Sequence, residues 1–358
     1  MLLACGMAAT VCTAARAQVE PVPDPPATVI NVGPVGWPVW PVNRQHPIRG
    51  GFLDPRPSGA SGVVLHNGVD INVRDDQPEI GHPFMRTHRV YALEPGVADI
   101  AADVAKRRCS GRRVRIGRFT YSHVDPAGSV AAGDTVKEGD LIGWTCTGQW
   151  HVHLTERDGT SVVNPLRRDG RLRPYVDAAP PLIRAITFYE PSDFRWFEIG
   201  GSIISLADGW RLSPRSLRGE VEVRASIADV PSFHGWFAAL APLALAQVPY
   251  EVQTSLRRVG GAFIWRRIVF RSDVFRAPGT PLAPAFAAGT RENLSTQMCR
   301  SLRWPRDCDG ALWFKLGGAS GTTWNTRTLA NGSYEYCVTA SDPVGNRSRR
   351  CTRVTIAN

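Results

Sequence analysis

Two histidines one residue apart, His151 and His153 in the stretch GQWHVHLTE, have the spacing in this chain that points most directly to chemistry. The residues around them are apolar and strand-like. Because side chains alternate between the two faces of a strand, both imidazoles are expected on the same side of it. The sequence therefore predicts a pair of histidines on one face of a strand.

The segment LHNGVD supplies two further candidate ligands, His66 and Asp70. Gly68 and β-branched Val69 disfavour a helix here, and a straight strand would separate the two side chains by about 13 Å. The Asn67-Gly68 dipeptide turns readily, so a bend could bring His66 and Asp70 to one ion. For these two residues taken alone, an ordinary surface turn is the alternative interpretation.

Together with one imidazole of the HVH segment, His66 and Asp70 would give a metal three protein ligands and an open fourth position. That arrangement is typical of a catalytic zinc site rather than a structural one. Zinc lowers the pKa of a bound water to about 7, and a second histidine beside it could accept the proton. His123 in FTYSHV could stabilise an oxyanion, and Tyr121, two residues earlier, could assist it.

The composition indicates a mainly β protein. The chain has 358 residues, 43% of them hydrophobic and 21% charged, and its 34 Gly and 28 Pro with only 4 Met favour short strands and turns. A net charge of +10 implies attraction to an anionic partner. The arginines are scattered, however, and no recognition helix, zinc-finger spacing or RNA-binding aromatic motif is visible, so no nucleic-acid partner is expected.

The N-terminus predicts export. The run MLLACGMAATVCTAARA ends in an A-x-A pattern, which indicates a signal peptide over residues 1–17, although it has no basic n-region. A lipoprotein signal ending at Cys5 is the weaker alternative, because no apolar segment precedes that cysteine. We expect a periplasmic, wall-associated or extracellular protein. The apolar run 236–248 is too short to span a bilayer, so no integral membrane segment is expected after signal removal.

The cysteines fit an exported protein. Two of the eight, Cys5 and Cys12, lie in the signal peptide, and an even number remains, which favours disulfides. Proximity in sequence favours three pairs, although other connectivities stay open: Cys109 with Cys146, Cys299 with Cys308, and Cys337 with Cys351. Reduced core cysteines would be expected only if the chain is not exported.

Shifts in composition divide the chain into segments. Residues 18–45 form a Pro-rich arm whose Trp37 and Trp40 are expected to pack on the next domain, with a plain linker as the alternative. Residues 46–173 contain short β-prone runs cut by Gly and Pro, which predicts an antiparallel sheet or a flattened barrel. A linker at 174–181 precedes a β-sandwich domain at 182–358.

The end of the chain predicts a hairpin. The runs SYEYCVTASD and SRRCTRVTI flank the turn DPVGN, Asp342 to Asn346. A hairpin centred on Val344 would place Cys337 opposite Cys351, close enough for a disulfide. The stretch GSYEYCVTASDPVGN also resembles the last two strands of bacterial immunoglobulin-like or fibronectin-like modules, which implies an immunoglobulin-like C-terminal domain.

Four motifs in order carry a second resemblance. HNGVD, YSHV, AAGDTVKEGDLIGWT and HVH are similar to the motifs of lysostaphin-like (LytM-type) zinc endopeptidases, over about residues 46–170. The family cleaves peptide cross-links of bacterial peptidoglycan and uses a folded antiparallel sheet with a groove, the duplicated hybrid motif fold. The resemblance implies one zinc ion per chain, held by His66, Asp70 and His153, with His151 and His123 as the catalytic histidines.

The sequence departs from this pattern in two places. WTCTGQWHVHLTE is shorter than usual before the histidines and has one extra residue before Glu156, and the segment after Asp70 is longer than usual. The walls of the substrate groove are therefore the part that transfers least. The other histidines, His46, His82, His88 and His234, are expected at the surface rather than as ligands. His82 and His88 lie in the long segment after Asp70, and lining the groove is the alternative for these two.

These observations predict an exported zinc endopeptidase that acts on peptidoglycan stem peptides or cross-bridges. One alternative is a non-catalytic relative that binds peptidoglycan or activates another hydrolase. Another is a surface or adhesion protein in which the C-terminal module is the functional part. The C-terminal arginines could hold anionic wall polymer or be solvated surface, and the oligomeric state is not predicted.

Overall fold

The computed structural model of the chain describes part of its length in detail. The described residues are 32–58, 62–73, 88–102, 111–126, 128–146, 151–191, 194–199, 202–207, 209–233, 246–275, 286–287, 290, 312–317 and 323–358. The predicted signal peptide lies outside them. So do His82, His234 and the Cys299–Cys308 pair, and so does Cys109 of the predicted pair with Cys146.

The described chain is mainly β, as predicted from its composition. The strands before residue 174 are β1 Ile48–Gly50, β2 Pro55–Ser58, β3 Gly62–Leu65, β4 Val69–Asn72, β5 Arg89–Tyr91, β6 Gly96–Ala102, β7 Arg112–Ile116, β8 Phe119–Ser122, β9 Val124–Asp125, β10 Thr135–Val136, β11 Leu141–Thr145, β12 His151–Asp158 and β13 Ser161–Val163. Those after it are β14 Leu182–Tyr189, β15 Phe194–Ile199, β16 Ser202–Ala207, β17 Arg211–Leu212, β18 Glu220–Ala228, β19 Glu251–Arg258, β20 Phe263–Arg271, β21 Val274–Phe275, β22 Trp313–Lys315, β23 Trp324–Asn325, β24 Gly332–Ser341 and β25 Arg347–Ile356. A 3₁₀ turn at Thr326–Thr328 lies wholly within the described residues.

The largest sheet runs in the order β1-β4-β12-β8-β7-β6-β10, with β13 beside β12 and β21 beside β13. All of its pairings are antiparallel. No sheet among the described residues closes into a barrel. Of the two forms predicted for residues 46–173, an open antiparallel sheet is therefore the one found.

The C-terminal region contains a sheet of order β17-β14-β18-β22, with β23 beside β18, and a second sheet of order β20-β19-β24-β25. Aromatic side chains from both sheets meet in their shared core. The Phe188 ring of β14 lies edge-on to Tyr336 of β24, with centroids 6.1 Å apart, and Trp324 lies 5.6 Å from the same Tyr336 ring. Edge-on aromatic pairs of this kind add to the stabilisation from burial.

The C-terminal hairpin is confirmed. Strands β24 and β25 pair in register with Cys337 directly opposite Cys351, and a disulfide joins the two. The turn over Asp342–Asn346 is closed by the Asp342 side chain, which accepts hydrogen bonds from the backbone N–H groups of Gly345 and Asn346. Side-chain closure by Asp is the reason such a turn sequence is favoured.

The N-terminal arm packs on the body from residue 32 onward, so the plain-linker alternative is wrong for this part. Trp37 is fully buried and donates from its indole N–H to the carbonyl of Pro174 at 2.8 Å. Trp40 packs against the core, as predicted. The expectation of a surface His46 is wrong, since that residue is only 1% exposed and its ring lies 5.7 Å from Trp37. The arm covers it.

Hydrogen bonds join the region before the 174–181 linker to the C-terminal region that follows it. Strand β21 extends the large sheet by pairing with β13, with Val162 opposite Phe275. Asn164 donates from its side chain to the carbonyl of Ser272 at 2.8 Å, and its backbone N–H donates to Asp273. No helix within the described ranges is long and apolar enough to cross a membrane.

Candidate metal centre

Strands β4 and β12 place the candidate ligands on one face of the large sheet. The two strands pair with Asp70 opposite His153, and with Val69 opposite Leu154. Val69 and Leu154 are fully buried in the core below. Because side chains alternate along each strand, Asp70 and His153 project together from the other face. His151 lies on that same face of β12, as predicted.

His66 reaches the same point because the chain bends between β3 and β4. It follows the last residue of β3, which belongs to a separate two-stranded sheet with β2. Its backbone N–H donates to the carbonyl of Asp54 at 2.9 Å, and its carbonyl accepts from the N–H of Leu53 at 2.8 Å. The predicted bend at Asn67-Gly68 is confirmed, and the surface-turn alternative is wrong because His66 and Asp70 are both buried.

Three ligand atoms converge at this point. His66 Nε2 lies 3.1 Å from Asp70 Oδ1 and 2.8 Å from His153 Nδ1, and His153 Nδ1 lies 3.0 Å from Asp70 Oδ1. A tetrahedral zinc ion with bonds of about 2.0–2.1 Å would hold such atoms about 3.3 Å apart. The triangle needs to open by only a few tenths of an ångström to accept the ion.

The outer nitrogens of both imidazoles have hydrogen-bond partners, so the inner nitrogens are available to a metal. His66 Nδ1 lies 2.7 Å from the carbonyl oxygen of Gly51, which can only accept, so Nδ1 carries the proton. His153 Nε2 lies 3.1 Å from Thr155 Oγ1, which can accept a hydrogen bond from the Nε2–H group. With both inner nitrogens unprotonated, two nitrogen lone pairs and a carboxylate face one another, and a bound cation would relieve the repulsion between them. Such outer partners are a regular feature of metal-binding histidines.

The electrostatics suit a metal ligand set. Burial lowers the pKa of His66 to about 4, so its imidazole is neutral at pH 7. Burial works against ionisation of Asp70, but the neighbouring His66 and His151 outweigh it and hold the pKa of Asp70 well below its usual range. Neutral imidazole and ionised carboxylate are the forms that bind zinc.

The other two histidines of the sequence prediction lie beside this triangle. His151 Nε2 is 3.6 Å from Asp70 Oδ1, and the His151 ring is 4.8 Å from the ring of His123. The His123 ring lies 6.3 Å from that of His153. His123 has a φ of 63°, which is uncommon for a non-glycine residue, and backbone conformations of this kind cluster at functional sites.

Tyr121 does not join the group. It stands opposite Leu154 on the core side of the sheet, is fully buried, and its hydroxyl accepts a hydrogen bond from the Leu93 N–H at 2.7 Å. Burial also raises its pKa. Tyr121 and His123 lie on different faces because β8 ends at Ser122, and the positive φ of His123 breaks the alternation that would have put both residues on one face.

The structure adds residues to the site that the sequence did not indicate. Arg56 of β2 donates from Nη2 to Asp70 Oδ2 at 3.2 Å, so the two oxygens of Asp70 have separate partners. Gly50 leaves room for this pair, since a Cβ there would stand 2.6 Å from Asp70 Oδ2. The Gly51 carbonyl and the Thr155 hydroxyl, which contact the outer nitrogens of His66 and His153, are the other two added groups. Of the three, only Thr155 could have been found from the sequence, because it lies two residues after His153 and so on the same face of the strand.

Glu156 and His88 have structural partners. Glu156 is fully buried and accepts two hydrogen bonds from the guanidinium of Arg167, at 2.8 and 2.9 Å. His88, expected at the surface, is half-buried, and its backbone N–H donates to Thr145 Oγ1 at 3.2 Å.

A second group of potential ligands, Glu335 with Cys337 and Cys351, holds no metal because its cysteines form the disulfide.

Comparison of the chain with family models, curated proteins and solved structures gives no match.

Proposed function

We propose that this chain is an exported zinc-dependent endopeptidase that hydrolyses peptide bonds in peptidoglycan stem peptides or cross-bridges. The observation that supports this most is the convergence of His66 Nε2, Asp70 Oδ1 and His153 Nδ1 within 3.1 Å of one another. The ordered motifs of the sequence supply the substrate class. A net charge of +10 suits an anionic cell wall.

A zinc ion held by these three side chains would supply a Lewis acid that acidifies water and polarises the scissile carbonyl. His151 would accept the proton of the attacking water, and the Asp70 carboxylate 3.6 Å away would stabilise the imidazolium that results. His123 would donate a hydrogen bond to the oxyanion of the tetrahedral intermediate. Its backbone is held on both sides, because its N–H donates to the Arg112 carbonyl and its carbonyl accepts from the Cys146 N–H.

The experiment is digestion of purified cell walls by the mature chain. We expect release of free amines that stops when a chelator is added and returns with zinc, and mass spectrometry of the fragments identifies the bond that is cleaved. Tyr121→Phe is a matched control, because that side chain lies on the core side of the sheet, and it should retain activity. Zinc binding without hydrolysis would instead support the non-catalytic, peptidoglycan-binding alternative.

A further inference from the structure

The metal ligand His66 is oriented by a four-residue turn, Gly51 to Asp54, which we call the support turn. The Gly51 carbonyl accepts the Nδ1 proton of His66 at 2.7 Å. The backbone of the same histidine bonds to Asp54 and Leu53, as described above. The support turn therefore fixes both the main chain and the ring of His66.

The conformation of the support turn is one that its sequence does not favour. Leu53 has a φ of 65°, in the left-handed region that glycine normally occupies. The turn's own backbone hydrogen bond, from Asp54 N–H to the Gly51 carbonyl, is long at 3.4 Å. A residue in such a conformation persists only where its surroundings hold it there.

Two contacts supply that support. The Asp54 carboxyl group accepts from the Gly51 N–H at 2.6 Å, which closes the turn from inside. Its other oxygen accepts from the Val248 N–H at 3.1 Å. Val248 belongs to the C-terminal region, so the turn is braced by a segment almost two hundred residues away in sequence.

The same C-terminal segment also reaches the strand beside Asp70. Gln247 is buried and donates from its side-chain amide to the Ile48 carbonyl of β1 at 3.0 Å. In the pairing of β1 with β4, Gly50 stands opposite Asp70. The segment is anchored in turn to the end of β18, because Gln247 and Asp229 exchange backbone hydrogen bonds at 2.7 and 2.9 Å.

We infer that Gln247 and Val248 of the C-terminal region, acting through Asp54 and the Gly51 carbonyl, are positioning residues for the proposed metal site. The C-terminal region is then a working part of the metal centre and not an appended module. This inference rests on the proposed zinc site, and a loss of orientation at His66 should weaken zinc binding by about 10- to 100-fold.

The test measures zinc affinity in the full chain by competition with a chromophoric chelator. Gln247→Met keeps the length of the side chain and removes its donor, and Asp54→Asn removes one acceptor of the support turn. We expect both variants to bind zinc at least about tenfold more weakly than wild type. Wall hydrolysis at saturating zinc should recover substantially, because the residues that contact substrate are unchanged.

Asn346→Ala is the matched control. Its side chain donates to the Asp177 carbonyl at 2.7 Å, so the substitution breaks another contact between the linker and the C-terminal region, away from the support turn. It should lower the melting temperature and leave zinc affinity unchanged. Equal zinc affinity in wild type, Gln247→Met and Asp54→Asn would overturn the inference, and so would an equal loss in Asn346→Ala. No zinc binding by wild type would instead defeat the proposed function.

Discussion

At the scale of single residues, the candidate site depends on how each side chain's second polar atom is used. His66, His153 and Asp70 each direct one atom to the centre and give the other to Gly51, Thr155 or Arg56. These outer contacts select the tautomer and the rotamer that bind a metal.

Arg56 is expected to strengthen zinc binding by holding the Asp70 carboxylate in place. Arg56→Met keeps most of the side chain but leaves Asp70 Oδ2 without its partner, so the carboxylate can rotate away from the imidazoles. We expect zinc affinity to fall about tenfold, with partial recovery in Arg56→Lys, which keeps the charge but not the planar geometry. Arg115→Met, which removes an exposed ion pair with Asp99, is the control and should bind zinc as wild type does. Unchanged affinity in Arg56→Met would show that Asp70 is held by other contacts.

The three candidate ligands that the structure brings together could be picked out from the sequence, whereas most of the residues that hydrogen-bond to them could not. The period-2 alternation places His151 and His153 on one face, and the motif order connects them with His66 and Asp70. The prediction that Tyr121 assists His123 is wrong, because side-chain alternation no longer applies once the backbone leaves the strand at His123, where φ is 63°. Arg56 meets Asp70 only because β2 and β3 form a hairpin, and no spacing in the sequence encodes that contact.

At the scale of elements, the site depends on how closely the loop between β3 and β4 approaches β12. Gly68 lies in that loop against β12, and a Cβ there would overlap the Leu154 carbonyl oxygen and stand 2.9 Å from His153 Nε2. The backbone of a central strand cannot move aside at low cost. The glycine is therefore required by space and not by its backbone angles.

Gly68→Ala tests this packing. We expect a loss of about 1–3 kcal/mol in the free energy of unfolding, together with weaker zinc binding, because the overlap displaces either β12 or the His153 ring. Gly261→Ala is the comparison, since its added methyl group would meet neighbours at ordinary contact distances from 3.4 Å. Chemical denaturation and the chelator competition assay give the two measurements. If the two alanine variants behave alike, the close approach at Gly68 is not what shapes the site.

The short element β21 could not have been predicted. Val274 and Phe275 extend the large sheet by two residues beside β13, and so short a segment has no periodicity to read. The hairpin of β24 and β25 was predictable because its turn residues and its opposed cysteines both lie close together in the sequence.

At the scale of the whole molecule, buried carboxyl groups collect where the two regions meet. Asp229 is 3% exposed, and burial together with Asp177, Asp342 and Asp54 raises its pKa well above the usual value. Burial raises the pKa of Asp54 to about 7 and also raises the pKa of Asp342. Folding therefore favours the protonated forms, and the junction is expected to weaken as the pH rises.

Asp229→Asn should show this dependence. Above about pH 3.8 Asp229 keeps its proton in the folded state and loses it in the unfolded state, so its contribution to the free energy of unfolding falls as the pH rises. We expect the variant to be more stable than wild type at pH 8 and to lose that advantage towards pH 4, with a slope of at most about 1.4 kcal/mol per pH unit. The opposite contribution of His66 cancels in this difference. A gap that does not change with pH would contradict the assignment.

His151 and His153 are proposed to have different roles, one as the general base and the other as a zinc ligand, and the zinc content of purified variants distinguishes these roles. Wild type and His151→Ala should each hold one zinc ion per chain, His153→Ala should hold none, and wall hydrolysis should fall by about 100-fold or more in both variants. Zinc loss in His151→Ala, or zinc retention in His153→Ala, would contradict these roles.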